Sequence, residues 1–174
     1  MAQVYISIGS NIEPARRIRE GVGALREAFG FVLLSPVYES RAVGFAGDNF
    51  YNLVAGVDTD MPVSEVNAVL HAIEDRYGRE RGGPRFSSRT LDLDLLLYDD
   101  LVGEHGGVTL PREEITHHAH VLFPLADLAA DLVHPETGKP LAQMRAELDT
   151  GEQALWRIDF DWSDDDYAAE DTGC

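Results

Sequence analysis

The stretch Arg89-Thr90-Leu91-Asp92-Leu93-Asp94-Leu95-Leu96-Leu97-Tyr98 sets two carboxylates two residues apart inside an apolar run. Leu alternating with polar residues between turn formers has the two-residue period of a β-strand. That period puts Leu91, Leu93, Leu95 and Leu97 on one face and Asp92, Asp94, Leu96 and Tyr98 on the other. The carboxylates then stand roughly 6–7 Å apart. At an effective dielectric near 20 they repel by about 2.5 kcal/mol. Leu96 and Tyr98 beside them argue for partial burial, so a positive group is expected between the two carboxylates. A divalent metal is one such group: Mg²⁺ is usually held by one or two carboxylates plus substrate phosphates. Two metals about 3.5–4 Å apart fit between carboxylates at neighbouring same-face positions. The plain alternative is an amphipathic strand whose solvated face carries two Asp.

Positive charge is concentrated next to this pair. The chain has 13 Arg and a single Lys, Lys139, and five of the Arg (76, 79, 81, 85 and 89) fall within fourteen residues ahead of it. Guanidinium forks match phosphate oxygens two at a time. A solvated charged loop is the alternative, but clustering in so acidic a chain speaks against it. His71 and Glu74, three residues apart on one face near the end of a helix, precede the Arg-rich loop. Carboxylates for a metal, several Arg and a loop together form a kit for handling a nucleoside triphosphate. There is no Walker A motif, and Gly9-Ser10-Asn11 is too short for a phosphate loop and reads as a strand-end turn. His117, His118 and His120 lack a Cys partner and fall on different helix faces, which disfavours zinc.

The elements that must position these residues follow from periodicity. Gln3 to Ser10 reads as a strand, and Ile18, Val22, Leu25 and Phe29, closed by Gly30, as a helix. Phe31 to Tyr38 reads as a second strand, the Gly-containing stretch from Ser40 to Asn49 as a mobile loop, and Phe50 to Val57 as a third strand. Pro62, the stripe Val66, Leu70, Ile73 and Tyr77, and then Gly78 mark a second helix. The loop Arg79 to Ser88 leads into the Asp strand. This β-α-β-β-α-β order predicts an α+β, ferredoxin-like core. A C-terminal elaboration follows: a hairpin near 101–110, a short helix around Glu113, a helix from Pro124, and a strand near Ala154 to Ile158.

With 174 residues, one domain spanning 1–160 is expected, of a size that buries roughly 70% of its unfolded surface. Residues 161–174 are acidic and polar and are expected to be a disordered tail. No apolar run approaches the ~20 residues needed to cross a bilayer, and the N-terminus lacks a signal-peptide pattern. Cys174 is the only cysteine, which suits a reducing cytoplasm. A net charge of −17 argues against nucleic acid and anionic membranes as partners. A monomer acting on small molecules is expected.

RTLDLDLLLY, with YISIGSN at the start, GRERGGPRFSS, and the later VLFPLADLA in the same order, resembles the 6-hydroxymethyl-7,8-dihydropterin pyrophosphokinase family. The resemblance covers roughly residues 3–160, and RTLDLD is its most specific piece. It implies a ferredoxin-like core with three catalytic loops. It also implies transfer of the ATP β,γ-pyrophosphoryl unit to a pterin hydroxymethyl group in folate biosynthesis, with AMP released. By the same resemblance Asp92 and Asp94 hold two Mg²⁺, and Arg79 and Arg89 stabilise charge developing during transfer. ATP is met by His71, Glu74, Arg81, Arg85, Thr109 and Arg112. The pterin is met by Asn52, the backbones of Ser40 and Val43, and the rings of Phe50, Phe86 and His120.

Several positions depart from the family pattern. Pro111-Arg112 stands where Pro-His is frequent, His120 where an aromatic ring is, and Phe86 where Trp is. Ser87-Ser88 replace Gly-Pro, and Gly107 replaces an Arg. Two other readings fit the residues themselves: a different two-metal phosphoryl or nucleotidyl transferase on the same core, or a non-catalytic ligand-binding domain. Four Arg in one loop favour an enzyme.

Overall fold

The alternation of Val4, Ile6 and Ile8 with Tyr5, Ser7 and Gly9 makes a strand that buries both faces, and β1 (Ala2–Ser10) is an interior strand of the sheet. The computed structural model describes residues 1–41, 49–77, 91–151 and 153–162. Helix α1 (Pro14–Phe29) begins on a proline, whose missing N–H costs nothing in a first turn. It stops at Gly30, whose φ of 82° suits glycine. Then come β2 (Leu33–Leu34), β3 (Val37–Ser40), β4 (Phe50–Thr59), α2 (Val63–Arg76) and β5 (Asp92–Tyr98). The strands line up β5-β1-β4-β3, each antiparallel to its neighbour. This is the expected ferredoxin-like core.

One face of that sheet is closed by the two helices. Ile18, Val22, Leu25, Val66, Leu70 and Ile73 pack on Val4, Ile6, Ile8, Leu53, Ala55, Leu91, Leu93 and Leu95. At about 1.5–3 kcal/mol for each fully buried aliphatic side chain, this layer dominates the stability of the sheet. The C-terminal elaboration supplies β6 (Gly103–His105), β7 (Val108–Leu110), α3 (Glu114–His117), α4 (Ala119–Leu128) and α5 (Leu141–Glu147). The β6–β7 hairpin joins the helix layer through Val108 and Leu110, while the helices cover part of the other face. There Ile115, Val121, Leu122, Leu125, Leu141 and Met144 meet Tyr5, Val54, Leu96 and Leu97. Strand β8 (Leu155–Ile158) pairs with β3 and becomes the sheet edge.

Four expectations change. The strand read as 31–38 is broken at Ser35-Pro36, where the Ser35 hydroxyl accepts the Val54 N–H at 2.8 Å. In β5 the alternation fails after Leu95, because Ile6 faces Leu95 while Tyr5 faces Leu97, leaving Leu96 as an extra residue in a β-bulge. Leu97 therefore turns to the elaboration with Leu96, and Tyr98 turns to the helix layer, donating its hydroxyl to the Met61 carbonyl at 2.7 Å. Helix α4 begins at Ala119 rather than at Pro124, which lies inside it and removes a hydrogen bond to the His120 carbonyl. Burial of Val121, Leu122 and Leu125 compensates.

The fourth change is at the chain end. Asp161 and Trp162, expected to belong to the tail, pack on the domain: Arg19 Nε donates to the Asp161 carbonyl at 2.7 Å, and Trp162 meets the Phe160 ring. Helix α5 lacks a sequence-level counterpart, since only seven residues carry it.

Candidate active site

Register brings the two Asp into line with residues from distant parts of the chain. Asp92, Gly9, Asn52 and Tyr38 stand side by side across β5, β1, β4 and β3, and Asp94, Ser7 and Val54 form the next row. Partners across antiparallel strands share a face, so all of these belong to the face away from α1 and α2. Two inter-strand steps put Asp92 and Asn52 roughly 10 Å apart.

Strand β5 is an edge strand, so its outward N–H and C=O groups need partners from outside the sheet. Two residues supply them. Glu74, only 2% exposed, accepts the Leu93 N–H at 2.9 Å. Arg112 donates its backbone N–H to the Leu96 carbonyl at 3.0 Å and Nε to the Leu95 carbonyl at 3.2 Å. The Asp-bearing strand is thus clamped between the two carboxylates by Glu74 and just beyond them by Arg112. The same guanidinium lies 3.7 Å from an Asp94 oxygen and 3.7 Å from Glu114, so a cation stands beside Asp94 rather than between the two aspartates. Asp94 is 45% exposed, open enough to take a ligand.

The second half of the site lies on β3 and β4. Asn52 is buried and donates Nδ2 to the Ser40 hydroxyl at 3.2 Å, while Ser40 and Phe50 are cross-strand partners. Gly9 makes room for that amide: a Cβ there would come within 2.8 Å of Asn52 Oδ1. The glycine of YISIGSN is therefore required by close approach, a role not assigned to it from sequence.

Helix α4 packs across β3 and β4. Its Phe123 meets the Tyr38 ring at 6.4 Å, and its Leu128 lies over Gly56. The helix consequently runs parallel to β4, and its first turn, with His120, points toward the Phe50 end. Burial, with His118 adding to it, holds the His120 imidazole well below its ordinary range, at about 4. The ring is neutral at physiological pH and can stack on a flat ligand without the cost of burying charge.

The remaining expected residues divide in two. His71 is exposed on α2, in contrast to buried Glu74, and Thr109 is exposed on β7 opposite Glu104. Val43, Arg79, Arg81, Arg85, Phe86 and Arg89 lie outside the described residues.

A two-aspartate edge strand next to a polar and aromatic patch offers hard oxygen donors beside a surface on which a planar group could stack. Over residues 5–130 the chain matches the 7,8-dihydro-6-hydroxymethylpterin-pyrophosphokinase family, and it belongs to that family. It is 36% identical over 148 residues to the 2-amino-4-hydroxy-6-hydroxymethyldihydropteridine pyrophosphokinase of Pseudomonas aeruginosa, covering 83% of this chain and 90% of that one. The enzyme of the same name from Aquifex aeolicus is 30% identical, with 84% and 92% covered. Among solved structures, the Plasmodium falciparum HPPK-DHPS has the same fold, with a TM-score of 0.61 at 14% identity over 84% of this chain. The chain spans 44% of the length of that longer protein.

Proposed function

We propose that this chain transfers the β,γ-pyrophosphoryl unit of ATP to the hydroxymethyl group of 6-hydroxymethyl-7,8-dihydropterin, a step of folate biosynthesis. Family membership carries the reading. The hydroxymethyl oxygen attacks the β-phosphorus, the bond from that phosphorus to the α-bridging oxygen breaks, AMP departs, and the hydroxyl proton is lost.

Asp92 and Asp94 suit Mg²⁺ by donor chemistry: hard carboxylate oxygens, partly exposed, too few to complete a cage and so needing phosphate oxygens to finish it. We read them as ligands of two ions. Mg²⁺ there would neutralise phosphate charge. Glu74 and Arg112 keep the strand that bears them in place, which is the pre-organisation that phosphoryl transfer relies on. Arg112, beside Asp94, is also suited to meet a phosphate, as are His71 and Thr109 by resemblance. Arg79, Arg81, Arg85 and Arg89 retain the phosphate-binding and charge-stabilising roles implied for them.

For the pterin, Asn52 offers an amide edge, the Ser40 and Val43 backbones add hydrogen bonds, and Phe50, Phe86 and His120 supply stacking surfaces. We read the chain as acting as a monomer on these small-molecule substrates. No helix among the described residues is long and apolar enough to cross a membrane, and the cytoplasmic assignment rests on the lone Cys174. The test is AMP release: with ATP, Mg²⁺ and the pterin, AMP should appear in step with pterin diphosphate and not without pterin. ADP as product, or release independent of pterin, would contradict the reading.

A further inference from the structure

Behind the pterin side of the site, four elements far apart in sequence meet at one carboxylate. Asp127 of α4 accepts hydrogen bonds from the Tyr38 hydroxyl of β3 and from Arg145 Nη1 of α5. It also accepts one from Arg157 Nη2 of β8 at 3.1 Å. Arg145 in addition reaches the Phe123 carbonyl at 3.4 Å and lies over the Phe123 ring at 4.4 Å, while Arg157 lies 5.8 Å from the Tyr38 ring. The Asp127 side chain is 13% exposed. Charge-assisted bonds of this kind are about twice as strong as neutral ones.

The positions of the partners matter more than their number. On α4, His120, Phe123 and Asp127 are spaced three and four apart and form one stripe. On the sheet, Tyr38 is the cross-strand partner of Asn52, and Ser40, two residues on, shares its face. The carboxylate therefore joins the helix that carries His120, about two turns away, to the strand that carries Ser40, two residues from Tyr38. A close-packed core transmits a shift at such a joint rather than absorbing it.

We propose that Asp127, held by Arg145 and Arg157, is a positioning residue for the pterin: by gripping the Tyr38 hydroxyl it sets the gap between His120 on α4 and the Ser40, Asn52 and Phe50 patch on the sheet. Asp127 does not itself touch substrate, and the ATP side, built on β5 and α2, lies beyond this joint. This inference rests on the pterin reading given above.

Steady-state kinetics with pterin varied, beside equilibrium titration of ATP, separate a positioning role from a structural one. Both are run well below the melting temperature of each variant. Displacing a reactant by about 1 Å can cost about a hundredfold, and Asp127→Asn, which keeps one acceptor, should raise the pterin KM about tenfold. Tyr38→Phe removes one hydrogen bond and should raise it about threefold. ATP affinity should stay within about twofold in both, since a distant joint leaves it untouched. An unchanged pterin KM with only a lowered melting temperature would overturn the proposal, as would ATP affinity falling in step with KM. A parent protein that turns over ATP without any pterin dependence would instead overturn the pterin reading and this inference with it.

Discussion

Gly9 and Asn52 show how closely the site is built at the level of single side chains. A methyl group on Gly9 must push the Asn52 amide away from its bond to Ser40. Gly9→Ala should therefore lose pterin affinity by about tenfold, the effect of about 1.4 kcal/mol, with a smaller change in ATP binding. Isothermal titration with each ligand checks this. His120 makes a second prediction. Its protonation is disfavoured in the fold, with a value of about 4, and burial also lowers His134, whose Nδ1 accepts the Glu136 and Thr137 N–H groups. The unfolded value lies near 6.5, so for His120 the unfolded chain binds more protons between there and about 4. Stability from His120 is complete above about pH 6.5 and is lost as pH falls toward 4, and His134 acts in the same direction. Melting temperatures of the parent and of His120→Phe across this range should converge at high pH and diverge as pH falls, the parent dropping faster. Parallel curves would contradict the assignment.

At the scale of elements, the strand carrying Asp92 and Asp94 depends on neighbours that follow no local pattern. Glu74→Ala should leave the Leu93 N–H unsatisfied and cost about 1–3 kcal/mol, read as a fall in urea midpoint at unchanged slope. The DxD strand itself was legible, because its two-residue period holds from Leu91 to Leu95. Its bulge was not: Leu95-Leu96-Leu97 is apolar on both faces, so either register satisfies the pattern. Pro124 misled for a similar reason, since proline ordinarily marks a first turn, and burial of α4 on both sides overrides that preference here. The Arg112 clamp was only half visible. A cation between the two Asp could be expected from repulsion alone, but not one beside Asp94 that comes from residue 112 and also caps the strand edge.

Taken as a whole molecule, the order of elements and the shared face of Asp92 and Asp94 followed from periodicity, whereas the joint at Asp127 did not, because its members at 38, 127, 145 and 157 lie on separate elements. The anchoring of the chain end was equally hidden. Trp162 stands in an acidic, polar stretch, yet it packs with Phe160, which meets the Tyr51 ring at 6.3 Å and lies under the Arg19 guanidinium. Truncation after Phe160 should remove part of this aromatic cover and the Arg19 acceptor. A loss of about 1–2 kcal/mol corresponds to a melting temperature lower by about 2–8 °C in a chain of this size. Calorimetry of the truncated and full chains checks it, and identical curves would show that the contacts contribute nothing.

The central claim is that Asp92 and Asp94, held on a clamped edge strand, organise the metal that pyrophosphoryl transfer requires. The most direct test is single-turnover AMP formation by Asp94→Asn at saturating Mg²⁺, ATP and pterin, with melting followed in the same samples. Loss of a group aimed at transition-state charge typically costs about 10²–10³-fold, and a drop of at least that size is expected. Melting should stay equal or rise, because removing one of two like charges relieves their repulsion in the metal-free protein. Turnover within about tenfold of the parent, far short of that cost, would contradict the claim.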